Sequence, residues 1–228
     1  MKSIIIAIDG FSSSGKSSMA KALARAIGYR YIDTGAMYRA LTLHALRHNL
    51  ISADGTADEA GIVALLPSVK IDFIATPQGQ HTTLNGEDVE REIRTMQVSG
   101  HVSTVAAIPA VRHVLVEEQQ RFGTEKGIVM DGRDVGTTVF PNAELKIFVN
   151  APAETRAQRR FLELTGNGVA TNYEEVLANV VHRDNIDMNR AESPLRRAAD
   201  AIDLDNSNMT IEQQNQWLLE RYREAAAD

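Results

Sequence analysis

The sequence predicts an α/β fold: a parallel sheet with crossover helices, interrupted by a small antiparallel insert and carrying a helical lid. Three observations lead there. Short apolar, β-branched runs alternate with helix-forming stretches along most of the 228 residues, the order that builds a parallel sheet. Polar residues cluster where the second and third of these runs end, the place where open α/β sheets hold ligands. Between residues 66 and 94 the pattern changes to alternating strands with tight turns, an antiparallel unit set into the chain. The whole is read as one domain, 1–228, with the insert at 66–94 and a lid at 154–190.

The first element is Ser3 to Asp9, a continuous apolar run suited to a strand buried on both faces. Gly10-Phe11-Ser12-Ser13-Ser14-Gly15-Lys16-Ser17 follows and fits G-x-x-x-x-G-K-[ST], a phosphate-binding loop. Such a motif requires a strand before it and a helix after it. Met19 to Ile27 is rich in helix formers, with Gly28 as a C-terminal cap. Gly10 and Gly15 let the backbone bend close to a polyphosphate, and N–H groups at the helix start point at it. Lys16 brings a mobile cation to the β- and γ-phosphates, and Ser17 offers a hydroxyl to Mg²⁺.

Tyr29 to Asp33 reads as a second strand, with a helix opening at Thr34-Gly35-Ala36-Met37-Tyr38-Arg39. Thr34, Tyr38 and Arg39 are candidates for a second phosphate; ordinary capping by Asp33 or Thr34, with Arg39 in solvent, explains them equally well. In the insert, Val69 to Ile74 alternates as a strand, Pro77-Gln78-Gly79 turns, His81 to Leu84 returns, and Asn85-Gly86 turns again. Thr95 to Ile108 is a small-residue helix, and Pro109 opens another that runs to Phe122. Arg112, near the start of that helix, opposes the helix dipole and reads as exposed. Gly127 to Asp131 is a buried strand ending in Asp131-Gly132-Arg133-Asp134, and Leu145 to Val149 is the next.

Pro152 starts a helix carrying Arg156, Arg159 and Arg160 on one face. After Thr165-Gly166-Asn167-Gly168, Asn172-Tyr173-Glu174-Glu175 resembles a capping box for a further helix. Two helices with a Gly-rich tip and clustered arginines make a mobile lid or a solvated hairpin. Arg183, Asp187 and Arg190 share one face of the second helix, where surface ion pairs are the plainer reading. His182-Arg183-Asp184 with Asn189 imitates a protein-kinase catalytic loop, but no matching Gly-rich loop or D-F-G accompanies it. Ala201 to Leu204 gives a last strand, and Thr210 with Gln213 caps a terminal helix in which Trp217 packs.

Composition limits the chemistry. The absence of cysteine excludes disulfides, thiolate metal sites and cysteine nucleophiles. A net charge of −6 argues against nucleic acid as a partner. The first apolar run is too short to span a membrane or act as a signal, so the protein reads as cytoplasmic.

Asp9-Gly10 with the phosphate loop, Asp33 to Arg39, Glu92-Ile93-Arg94, Asp131 to Thr137 and Arg183 to Arg190 together resemble the bacterial cytidylate (CMP) kinase family. The resemblance runs in order from Ile4 to about Ile211, and its later motifs are far more specific than the loop. It implies a P-loop three-layer sandwich with a five-stranded parallel sheet, an insert on the monophosphate side and an arginine-bearing lid. It implies transfer of the γ-phosphoryl group of ATP to CMP and dCMP with Mg²⁺, by a monomer. The donor would lie on Gly10, Phe11, Ser12, Ser13, Ser14, Gly15, Lys16, Ser17 and Ser18, with Ser17 reaching the metal partly through water. Thr34, Tyr38, Arg39 and Arg133 would hold the acceptor phosphate. Ser103, Arg112 and Asp134 would meet the cytosine, and Arg183, Asp187 and Arg190 the ribose and phosphates. Lys16, Arg133, Arg156, Arg160 and Arg190 would act on the transferring group, with Arg156 and Arg160 coming from the lid. The loop departs from many relatives in its Phe11-Ser12-Ser13-Ser14 run and in Ser17-Ser18, yet keeps its N–H groups and a hydroxyl.

The residue inventory agrees with that chemistry. A monophosphate acceptor is already an anionic oxygen, so transfer calls for positioning and charge neutralisation rather than a strong base. Two other readings share the loop. A kinase of UMP or of a metabolite alcohol is one; an alcohol would need a base such as Asp33 or Asp134. A nucleotide-dependent switch is the other, though no guanine-reading N-K-x-D is present.

Overall fold

The computed structural model describes residues 1–77 and 79–227. Gln78, the centre of the expected Pro77–Gly79 turn, lies outside the described residues. The chain divides into two compact units, one of residues 1–33 and 118–228, the other of residues 34–117.

The first unit holds β1 (Ile5–Gly10), α1 (Lys16–Ile27), β2 (Arg30–Asp33) and the end of α5 (Pro109–Phe122). These are joined by β6 (Ile128–Gly132), β7 (Leu145–Asn150), α6 (Ala153–Gly166), α7 (Tyr173–Asn189), β8 (Ile202–Asp205) and α8 (Ile211–Ala225). Its five strands form one parallel sheet in the order β2-β6-β1-β7-β8. β1 lies at the centre, which is why its run is apolar throughout: Ile6, Ala7 and Ile8 are fully buried. Ile4, Ile6, Ile8, Val129, Leu145, Ile147 and Val149 pack with Met19, Leu23 and Leu218 of the covering helices α1 and α8. The architecture is the α/β sandwich with a phosphate loop that the sequence predicts.

Because all five strands run the same way, the loop after β1 and the Asp131–Asp134 segment of β6 emerge at the same end of the sheet. The helices of this unit obey their sequence signals. Gly28 caps α1 at φ 72°, Asn172 accepts from Glu175 N at the start of α7, and Thr210 with Gln213 forms a full capping box on α8. Asp9 is buried and accepts hydrogen bonds from Val135 N at 2.8 Å and Gly136 N at 2.7 Å. It thereby ties β1 to a short π-helical turn, Val135–Val139, which the sequence does not announce.

The second unit holds α2 (Thr34–Arg47), α3 (Glu59–Leu65), β3 (Ile71–Thr76), β4 (Gly79–Leu84), β5 (Glu87–Asp88), α4 (Met96–Ala106) and the start of α5. β3, β4 and β5 form an antiparallel sheet, as expected for the insert. Leu84, Val89 and Ile93 pack onto Ala36, Ala40 and Leu43 of α2 and onto Val98 of α4. Helix α3 has no counterpart in the sequence reading; seven residues capped by Asp58 are too short to show a period. Among the described residues no helix is long and apolar enough to cross a membrane.

Candidate active site

The phosphate loop of the first unit is shaped by its two glycines. A Cβ on Gly10, at φ 150°, would lie 2.2 Å from the Val149 carbonyl of the adjacent strand. Gly15 caps the helix start in the left-handed region at φ 87°. Between them Phe11 stands edge-on to Phe148, at 6.0 Å between ring centroids, under the guanidinium of Arg156 at 5.0 Å. The Ser12 hydroxyl donates to Asp184. Ser14 Oγ is buried without a hydrogen-bond partner among the described residues. Ser18 is exposed.

Lys16 is buried, with Nζ 3.1 Å from the Phe11 carbonyl. Burial, and then the Arg133 guanidinium, push its pKa down to about 7. Ser17 Oγ donates to Asp131 Oδ2 at 2.7 Å, and Tyr31 OH donates to Asp131 Oδ1 at 2.6 Å. Asp131 is buried, and both burial and the nearby Asp33 carboxylate push its pKa up. Two crowded carboxylates beside a serine hydroxyl are a donor set suited to a hard dication, which would relieve their repulsion. Among the described residues no cluster of three or more His, Cys, Asp or Glu could hold a metal unaided. The Ser17 hydroxyl on the Asp131 carboxylate fits Mg²⁺, which binds through one or two carboxylates together with waters and phosphate oxygens. Tyr31 is a functional candidate the sequence reading missed; Asp131 was seen there only as one of two acids at the end of its strand, because Ser17 and Tyr31 meet it from 114 and 100 residues away in the chain.

A second group in the same unit gathers around Asp187. Arg133 Nε donates to Asp187 at 2.9 Å, and Arg190 reaches Asp187 at 3.8 Å and Asp134 at 3.6 Å. Burial alone would raise the Asp187 carboxyl, but Arg133, Arg183 and Arg190 outweigh it and hold the pKa below its usual value. Arg183 is buried, and its Nε has no hydrogen-bond partner among the described residues. Burial, then Arg133, push Arg183 down to about 10. A guanidinium that is desolvated and crowded by another cation is a group prepared for an anion. The surface-ion-pair reading of Arg183, Asp187 and Arg190 is therefore overturned: all three are buried.

Arg156 is also buried. Its Nε donates to Ala151 O, its Nη1 to Ser12 O, and its Nη2 to Asp184 Oδ2 at 2.7 Å. Arg160 pairs with Glu163 at 2.8 Å. Arg159, read in the sequence only as one of the clustered arginines of the lid helix, donates to Ser14 O and to both the side-chain and backbone oxygens of Asn206.

In the second unit, Thr34 and Tyr38 are buried on α2. Arg39 is turned inward and not left in solvent, donating to Ile93 O at 3.1 Å and Ser99 Oγ at 2.9 Å. Arg112, expected to be exposed, is 1% accessible. Its guanidinium lies 5.4 Å from the Tyr38 ring centroid and donates to Ala106 O. The correction has a tertiary cause: an aromatic face and a carbonyl replace water around the cation. Ser103, one turn after Ser99 on α4, is buried beside them in sequence and accepts from Ala107 N through its carbonyl.

The cytidylate kinase family model matches residues 6–224. The chain belongs to the cytidylate kinase family. Relatives of that name include one from Parabacteroides distasonis, 55% identical over 99% of both chains. Another, from Porphyromonas gingivalis, is 57% identical over 97% of this chain and 96% of its own. A third, from Flavobacterium johnsoniae, is 54% identical over 96% of both. The cytidylate kinase assignment makes the chain a nucleoside monophosphate kinase, a phosphotransferase, and accounts for a phosphate loop followed by buried arginines.

Proposed function

We propose that the protein transfers the γ-phosphoryl group of ATP to CMP and dCMP, giving ADP and the nucleoside diphosphate. The observation that carries this reading is Lys16 buried at the phosphate loop, with Ser17 on Asp131 and the arginines Arg133, Arg183 and Arg190 collected in the same unit. Family membership supports CMP as the acceptor.

In the reaction an oxygen of the CMP phosphate bonds to the γ-phosphorus as the bond to the ADP oxygen breaks, and ADP leaves with that electron pair. The loop from Gly10 to Ser18 would hold the donor through its backbone N–H groups and Lys16. Lys16, Arg133, Arg156, Arg160 and Arg190 would offset the charge that spreads over the transferring group. Mg²⁺, held by Ser17 with Asp131 behind it, would neutralise donor phosphate charge. On the acceptor side, Arg133, Arg183, Asp187 and Arg190 would meet phosphate and ribose, and Thr34, Tyr38 and Arg39 the phosphate. Asp134, Ser103 and Arg112 would read the cytosine. The enzyme would work as a cytoplasmic monomer on small nucleotides, without nucleic acid or membrane as partner.

A coupled ADP-release assay over CMP, dCMP, UMP, AMP and GMP tests the reading. Release should depend on an acceptor and be fastest with CMP or dCMP. Acceptor-independent hydrolysis, or UMP above CMP, would overturn it.

A further inference from the structure

The loop's backbone is held from behind by side chains that no phosphate would touch. Asn206 follows β8 and is fully buried. Its amide Nδ2 donates to Ser14 O at 2.7 Å and to Gln214 Oε1 at 3.1 Å. Its Oδ1 accepts from Arg159 Nη1 at 2.9 Å, and its backbone oxygen accepts from Arg159 Nη2 at 2.7 Å. Arg159 Nη1 also lies 3.4 Å from Ser14 O. Gln214 completes the set by donating to Met209 O.

The consequence follows from peptide planarity. Across a trans peptide the carbonyl of one residue and the N–H of the next point in opposite directions. With the Ser14 carbonyl drawn towards Asn206 and Arg159, the Gly15 N–H must point the other way. Gly15 is the glycine in the left-handed conformation that opens α1, so no side chain of its own restrains the Ser14–Gly15 peptide. Something must fix it.

We propose that Asn206 and Arg159 are positioning residues that lock the Ser14–Gly15 peptide so that the Gly15 N–H faces the donor phosphates. The proposal rests on the reading of the loop as the donor-phosphate site. It makes the β8–α8 connection part of the machinery for ATP although Asn206 itself contacts no phosphate.

Asn206→Asp separates this role from bulk packing. The carboxylate has the same shape and still accepts from Arg159, but it cannot donate to Ser14 O and repels it. Affinity for inorganic tripolyphosphate, measured by calorimetry, should fall about tenfold, the effect of one misdirected hydrogen bond to an anion. KM for ATP should rise with it, while KM for CMP stays within about twofold. A purely structural defect would instead lower kcat and leave both KM values alone. If Asn206→Asp does not fold, Arg159→Lys decides: it keeps the cation, loses the two-pronged hold on Asn206, and should weaken tripolyphosphate in the same sense. Tripolyphosphate affinity within about twofold of wild type in the folded variant overturns the proposal. Tripolyphosphate binding needs no acceptor, so a wild type that binds it yet phosphorylates no monophosphate would sink the function proposed above and leave this test standing.

Discussion

Lys16 combines a buried ammonium with an Arg133 guanidinium close enough to be felt, and its pKa falls from 10.5 to about 7. The sign of the linkage is definite. Between about pH 7 and 10.5 the unfolded chain binds this proton more readily than the fold does, so Lys16 makes the protein more stable as pH rises through that window. Donor phosphates reverse the balance by favouring the charged form. ATP binding at pH 8 should therefore take up a proton, visible as a calorimetric enthalpy that varies with the ionisation enthalpy of the buffer. Lys16→Met should abolish that dependence. Lys16→Ala should stay folded yet lose at least about a hundredfold in kcat, since a cation aimed at a transferring group is worth several kcal/mol in the transition state. Activity within about tenfold of wild type would remove Lys16 from the chemistry. At Asp134 two roles compete. On the proposed reading its carboxylate accepts from the cytosine amino group and repels the uracil carbonyl, yet it also lies 3.6 Å from Arg190. Asp134→Asn should lower kcat/KM for CMP and narrow the CMP-over-UMP ratio, because an amide can donate as well as accept. Equal falls for both substrates would assign Asp134 to holding Arg190.

At the scale of elements, α6 is tied to the phosphate loop near its start and runs into an exposed tip at its end. Arg156 and Arg159 near its start bind the loop carbonyls of Ser12 and Ser14, whereas residues 165–170 around Gly166 and Gly168 are exposed. The proposed lid would hinge from this base. With ATP and CMP both bound, hydrogen exchange should slow most between residues 161 and 175 and change little at 153–157. Uniform or absent slowing would argue against a lid. The same region shows why parts of the protein could be read in advance and parts could not. The central strands β1, β6 and β7 were legible because burial on both faces makes each a largely apolar run, and the loop was legible because its spacing is dictated by a phosphate. The sheet order, with β6 between β2 and β1, leaves no mark on any one segment. Nor does the burial of Arg112, which depends on a Tyr38 ring far away in sequence. Asn206 was passed over for the same reason, and Asp131 was read only as one of two acids at a strand end: each lies among other polar residues, and its importance appears only when Ser14 or Ser17 is brought to it.

For the molecule as a whole, the acidic net charge of −6 sets a constraint on how an anionic nucleotide is bound. Long-range attraction cannot supply it, so the binding energy has to come from local groups already stripped of water. Lys16 and Arg183 are such groups, and both carry pKa values lowered mainly by burial. Holding desolvated cations close together costs the fold stability until an anion arrives. The ligand should return that cost as a thermal shift. At a free concentration of about 100 times its Kd, ATP with Mg²⁺ stabilises the folded state by about 2.7 kcal/mol. For a chain of this size that corresponds to a rise in melting temperature of about 5–11 °C. Because Lys16 is one of the strained cations, Lys16→Ala should behave oppositely in the two states. Without nucleotide it should melt at or slightly above the wild-type temperature, and with the same ATP concentration it should gain only a small part of the wild-type shift. Scanning calorimetry of both proteins with and without ATP decides the matter: an unliganded variant melting well below wild type would mean that Lys16 stabilises the fold and is not held there under strain for the phosphate.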